Sequence, residues 1–216
     1  MASLQEMVSN QAWRFVYMKL NQYRTIFAIT TILLVSIMST PVINTVVRLP
    51  NAAEAPFSEL WVLGLNHTIS EYPGPIKVGE RRNIILGVRN HLNAPAYYML
   101  KAKFRNETQP FPDALKGESS TLPSLYEFRF FLDNSETWEY WFNFSISSAT
   151  FSQESCLVNT FLVNDVPLFV NITQRLNPIK KGFYYQLFFE LWLYDSTFQS
   201  LGYHGRFVSI WLNLNE

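Results

Sequence analysis

From residue 57 onward, apolar and polar positions alternate with a period of two. In "NIILGVRNH", Ile84, Leu86 and Val88 share one phase. In "AYYMLKAKF", Tyr98, Leu100, Ala102 and Phe104 share a phase, with Lys101 and Lys103 on the other. "LYEFRFFLD" sets Tyr126, Phe128, Phe130 and Leu132 against Glu127, Arg129 and Asp133. "TWEYWFNFSI" sets Trp138, Tyr140, Phe142, Phe144 and Ile146 against Glu139, Trp141, Asn143 and Ser145. "VPLFVNIT", "YYQLFFELWLY" and "RFVSIWLNL" follow. Successive strand residues point to opposite faces, so this alternation predicts strands with one buried face. No amphipathic helix of useful length interrupts them. Short strands separated by Pro, Gly and Asn turns predict an all-β fold, an antiparallel two-sheet sandwich of roughly seven to nine strands.

The opening of this region, "FSELWVLGLNHTISEYPGPIKVGE", reads as a strand over 57–65 and then a proline-set turn, Tyr72-Pro73-Gly74-Pro75. The prolines lock φ and redirect the chain between sheets. Val78-Gly79-Glu80 then turns into the strand that begins near Asn83. Residues 105–122, "RNETQPFPDALKGESSTL", lack periodicity and carry Pro110 and Pro112. They read as an exposed loop with room for one helical turn.

A different pattern precedes the strands. Thr25 to Val47 contains no charge. As a helix it would reach roughly 33 Å, enough for a hydrocarbon core of about 30 Å. Pro41 falls near its outer end. The run is too long for the apolar region of a signal peptide, and Ala53-Glu54-Ala55 is followed by Pro56, a poor cleavage position. We expect a retained anchor over 25–48. Arg14, Lys19 and Arg24 precede it and Arg48 follows, so the N-terminus is expected in the cytoplasm and the C-terminal domain outside the cell. Residues 1–24 are expected to form an interfacial helix with Trp13, Phe15, Tyr17 and Tyr23 at the headgroups. Residues 49–56 form a linker, and 57–216 the extracytoplasmic sandwich.

The chain has 216 residues, 48% hydrophobic and 16% aromatic, enough for one domain with a substantial core. Its formal net charge of zero argues against nucleic-acid binding through a basic surface. With Cys156 as the one cysteine, no internal disulfide forms, and we read a packed thiol.

The set Phe57-x-Glu59-x-Trp61-Val62-Leu63-Gly64, Tyr72-Pro73, Val78-Gly79-Glu80, Gly87-x-x-Asn90-His91 and Tyr97, continued by Glu136-Thr137-Trp138, Phe189 to Tyr194 and Arg206 to Leu212, resembles the archaeal membrane protein family catalogued as domain of unknown function 1616. The signal is the order and spacing of the whole set. The resemblance implies membrane anchoring and an extracytoplasmic, immunoglobulin-like β domain. It implies no known activity.

Nucleotide, nucleophile-elbow, zincin and C-x-x-C motifs are missing. His67, His91 and His204 are scattered; His91 is expected to close a turn. No catalytic residue, metal or cofactor is assigned. Glu59 and Glu190 sit on aromatic-rich strands, as acids with raised pKa or as edge charges that oppose aggregation; we favour a structural role. Four sequons, Asn66, Asn106, Asn143 and Asn171, are candidate N-glycosylation sites. "YYQLFFELWLY" is apolar on both phases, so loops or a partner must cover its second face. Trp141, Phe188, Trp192 and Tyr194 are therefore candidate interface residues. The expected function is a non-enzymatic protein-interaction module that docks an envelope or membrane protein. A glycan-binding module and an accessory subunit of a secretion or glycosylation complex are the alternatives.

Overall fold

The computed structural model describes residues 23–36, 55–69 and 75–215. The chain divides into two units, Met1–Ala55 and Pro56–Glu216. In the first, residues 23–36 are helical. Thr31 Oγ1 donates to the Phe27 carbonyl at 2.8 Å, and Thr30 Oγ1 to that of Ile26. These back-bonds satisfy hydroxyls within the helix itself. Phe27, Ile32 and Val35 are exposed. Among the described residues no helix is long and apolar enough to cross a membrane. The rest of the expected span, residues 37–48, lies outside the described residues. So do positions 1–22 of the expected interfacial helix and the turn at 72–74.

The second unit is a β-sandwich. Its strands are β1 (Phe57–Leu63), β2 (Pro75–Lys77), β3 (Arg82–His91), β4 (Ala96–Asn106), β5 (Tyr126–Leu132), β6 (Thr137–Phe151), β7 (Ser155–Val163), β8 (Val166–Arg175), β9 (Phe183–Asp195) and β10 (Ser200–Asn215). Ten described strands exceed the expected seven to nine. The three-residue β2 is too short to show a period. One sheet runs β1-β3-β6-β7-β8 and the other β2-β10-β9-β4-β5. We call them the first and second sheets. All pairings are antiparallel except β2–β10, which is parallel.

The first strand and β2 lie in different sheets, so the chain does change sheet across the proline-rich segment. Gly79 has φ +82, and Glu80 N–H closes the turn on the Lys77 carbonyl at 3.1 Å. Only glycine adopts that backbone without strain.

The core forms where the inward phases meet. Ile84, Leu86, Phe142, Phe144, Val158 and Phe161 of the first sheet pack with Leu100, Phe104, Tyr185, Leu187, Phe189, Leu191 and Leu212 of the second. Phe142 meets Phe189 edge to face at 5.1 Å, and Phe104 meets Phe161 at 4.8 Å. Tyr185 carries a hydroxyl into this core and donates to the Cys156 carbonyl at 2.6 Å. Burial raises the Tyr185 pKa, so the phenol stays protonated and the donor is kept. Cys156 is buried, as expected.

The segment between β4 and β5 departs from the expectation of an exposed loop. It contains no helical turn. It lies as a strap across the outer face of the second sheet, and its Ser120 is buried.

Candidate functional site

On the outer face of the first sheet, β1, β3 and β6 carry an apolar patch. Antiparallel register sets Trp61 opposite Gly87, and lines up Leu63, Ile85 and Trp141 across three strands. The Trp61 indole lies flat on Gly87; a Cβ there would fall 2.0 Å from the ring. This close approach is the reason a glycine interrupts an otherwise aliphatic strand. Ile85 is fully buried, while Trp141 is 60% exposed. Charged groups ring the patch. Glu59 lies 3.2 Å from His91 Nε2, Glu139 lies 3.5 Å from His67 Nε2, and Arg89 is exposed. The result is an apolar patch, with Trp141 exposed and Trp61 and Leu63 half-buried, inside a polar rim. Glu59 does sit on an edge strand, as one of its two readings required.

His91 does not close the turn that follows it. Its ring stacks on Phe57 at 4.7 Å. The neighbouring Asn90 does that work instead. Its amide donates to the carbonyls of Ala94 at 2.8 Å and Leu132 at 3.0 Å, and its Oδ1 accepts from Leu92 N–H at 2.9 Å.

The outer face of the second sheet is half covered. Phe188, expected at an interface, is fully buried. Phe111 of the strap stands edge-on to both Phe188 and Phe207, at 5.3 and 4.7 Å, with the Arg105 guanidinium 4.8 Å above its ring. Glu190 is no edge charge, because β9 is interior to its sheet. It is fully buried and pairs with Lys103 at 2.9 Å. The strap completes this pair. Ser120 N–H donates to Glu190 Oε1 at 2.7 Å, Lys103 Nζ donates to the Ser120 carbonyl at 2.6 Å, and Trp192 Nε1 reaches Glu190 Oε2 at 3.3 Å. Each charge therefore keeps polar partners in place of water. Trp192 is half-buried, with Lys101 Nζ 3.6 Å from its ring centre.

Beyond the strap the face is open. Tyr194 is 41% exposed and Phe131 74% exposed. Tyr97 links them, 4.5 Å from Phe131 and edge-on to Tyr194 at 6.3 Å. At the β9–β10 hairpin lies an open groove of about 340 Å³ whose lining includes Asp195, Ser196 and the inward-phase residues Leu193, Gly202 and His204. Tyr203 also lines it. Burial, together with Glu190 and Asp113, pushes its hydroxyl pKa up to about 12.

A buried polar chain runs behind this groove. Asn90 Oδ1 accepts from Tyr98 OH at 3.2 Å, Tyr98 OH is 2.8 Å from Ser58 Oγ, and Ser58 Oγ is 3.1 Å from His204 Nε2. Ser58 and His204 thus have the spacing of a nucleophile and its base. Ser58 is fully buried, however, and its hydroxyl is shared with Tyr98. The pair bridges β1 to β10 and presents no attacking oxygen to the surface. Among the described residues no cluster of metal ligands occurs.

The four sequons sit in different surroundings. Asn66 is exposed in the turn after β1. Asn143 lies on the outward phase of β6 and is half-buried. Asn171 is exposed with φ +47, where β8 bulges against β7. Asn106 has a committed side chain: Nδ2 donates to the Thr173 carbonyl at 2.8 Å, and Oδ1 accepts from Thr108 N–H and Gln109 N–H at 3.0 and 2.9 Å.

No protein-family model and no curated protein matches the chain. Solved structures that match include the CARDB domain of the PF1109 protein from Pyrococcus furiosus, described in complex with di-metal ions. It is 8% identical, over 75% of this chain and 90% of that one, with a TM-score of 0.39. A β-glucosidase from Listeria innocua matches at 7% identity over 74% of this chain, with a TM-score of 0.40. Bacteroides uniformis β-glucuronidase 2 matches at 11% identity over 70% of this chain, with a TM-score of 0.33. The chain spans 16% of the glucosidase and 12% of the glucuronidase.

Proposed function

We propose that this protein is a non-enzymatic interaction module, tethered by one membrane span over 25–48, whose extracytoplasmic sandwich docks another envelope or membrane protein. The observation that carries the docking reading is the exposed Trp141 on the central strand β6, with half-buried Leu63 and Trp61 near it on the outer face of the first sheet. An apolar patch inside a charged rim is the anatomy of a protein interface, and a central tryptophan is a common energetic anchor. The uncharged run from Thr25 and the apolar helix at 23–36 support the tether, and the cations before it support an N-terminus inside. We read the sandwich as immunoglobulin-like. Splitting its first strand into β1 and β2 on opposite sheets, and grouping β4, β9 and β10 with β5 at the edge, fits that layout. The departure is β7 and β8, which follow β6 on the side where such a domain has its fourth strand.

A photo-crosslinking residue placed at position 141 in intact cells tests the docking reading. The expected result is a discrete protein adduct, and Trp141→Ala in an otherwise native chain should weaken capture of that same protein at least tenfold. A folded, membrane-inserted protein that yields no adduct from positions 63, 139 or 141 would overturn it.

A further inference from the structure

We infer that the end of the sandwich where β1 begins seats on a lipid surface, through a row of apolar side chains across the second sheet and the tip of the β9–β10 hairpin. The inference rests on the tether over 25–48 and goes beyond the docking face, which lies on the other sheet. Register defines the row. Phe131 pairs with Tyr97, Tyr98 with Leu193, and Tyr194 with Leu201. Phe131, Tyr97, Tyr194 and Leu201 therefore line up across β5, β4, β9 and β10 on the outward phase. Each lies second from the end of its strand. Past the row, the turn that joins β9 to β10 carries Phe198, 77% exposed. From Ser196 to Gly205 the chain has no Asp, Glu, Lys or Arg. Asp195 Oδ1 accepts from Thr197 N–H at 2.7 Å and from Phe198 N–H at 3.3 Å, which holds this acid at the base of the turn.

The row lies at the end of the domain from which the chain leads back toward the expected span. Phe57 opens β1 and pairs with His91 at the end of β3. On β10, His204 Nε2 lies 3.1 Å from Ser58 Oγ, and the Arg206 guanidinium lies 5.9 Å from the Phe57 ring. The register of β10 slips between Tyr203 and Arg206, with Gly205 at φ +67. This bulge sets His204 onto β1. From His204 out to Ser200, where β10 begins, the strand covers about 13 Å, so the hairpin projects past the start of β1. Turns at the opposite end are charged instead: Glu80 and Arg81 follow β2, Asp165 follows β7, and the exposed Ile179 there sits beside Lys180 and Lys181. Aromatic rings favour the headgroup level of a bilayer, where the ring is buried and any polar edge stays wet. The apolar row is also shallow. Arg129 stands in the next outward position of β5, opposite Met99, where a guanidinium can reach headgroup phosphates. A protein partner buries a broad patch, whereas apolar side chains at a membrane surface sink only about 5–10 Å.

Spin labels test this in the full chain. Cys156 is buried, so a cysteine introduced at the surface is labelled alone. The chain is reconstituted in phosphatidylcholine nanodiscs with a nitroxide at Thr197→Cys, at Ile179→Cys or at Ile32→Cys. Collision with oxygen is compared with collision with a water-soluble nickel chelate. The oxygen-to-nickel ratio is expected to be at least threefold higher at position 197 than at 179. Phe198→Ser together with Phe131→Ser should bring position 197 down to the value at 179, with the melting temperature unchanged because both rings are exposed. The comparison of 197 with 179 needs neither substitution and stands by itself. Equal ratios at 197 and 179, with position 32 in hydrocarbon, would overturn the proposal and leave the tether standing; a face that binds protein gives that result. A ratio at 197 that the double substitution leaves unchanged would overturn it too. A water-exposed label at 32 would remove the tether, and this proposal with it.

Discussion

Protonation of His204 is opposed from two sides. Burial lowers its pKa first, and the nearby Arg206 lowers it further. The unfolded chain therefore takes up the proton before the folded one does. Stability should be complete above the unfolded pKa of about 6.5 and fall as pH drops through the folded value. Thermal melts of the intact chain between about pH 7.5 and 5 check this, and His204→Gln should flatten the slope over that window. A second residue-scale prediction concerns neighbours of opposite phase. Phe189→Ala and Phe188→Ala should each cost about 3–5 kcal/mol in urea unfolding, whereas Trp141→Ala should stay within about 0.5 kcal/mol. Alternation puts Leu187, Phe189 and Leu191 on one phase, and that phase lies in the inter-sheet core. It misassigned Phe188, because period two reports which face a side chain occupies and not what lies over that face. The cover is Phe111, a lone aromatic in a segment without periodicity. His204 was equally hidden, since the β10 bulge breaks the phase that would have aimed it.

The strap between β4 and β5 is an element whose fold depends on one polar latch and one ring. Lys103→Met would leave Glu190 buried beside only neutral donors. The expected cost is about 3–5 kcal/mol, as for other buried pairs that lose one partner. Amide hydrogen exchange across residues 110–120 should rise in the same variant, because Ser120 loses the ammonium that grips its carbonyl. Removing both charges with Lys103→Met and Glu190→Leu should recover much of the global stability but not the exchange protection, since Ser120 N–H then has no acceptor. A strap held only by Phe111 would show no change in exchange in either variant. The strands themselves were legible: each alternating run became a strand. Edges were less so. The last strand of the first sheet, β8, blunts its open side with Pro167 and the bulge at Asn171, devices that prevent pairing with another chain.

For the whole molecule, the proposed arrangement makes a direct prediction. Protease added to intact cells should remove an epitope at the C-terminus and spare one at the N-terminus; a protected C-terminal epitope would reverse the orientation. A sandwich was readable because two facing sheets need one buried phase each, and the sequence supplies both. The division of strands between sheets was not, because it rests on partners far apart in the chain. The parallel contact of β2 with β10 shows what that means for assembly. Ile76 sits beside Leu214, so one of the earliest strands of the domain waits for the last. During synthesis the second sheet lacks its β10 until nearly all of the domain has emerged, and β9 keeps a bare edge meanwhile. Pairings this distant in sequence are slow to form and expose strand edges while they wait. Whatever receives the growing chain must therefore shelter an incomplete sheet for almost the full length of its translation.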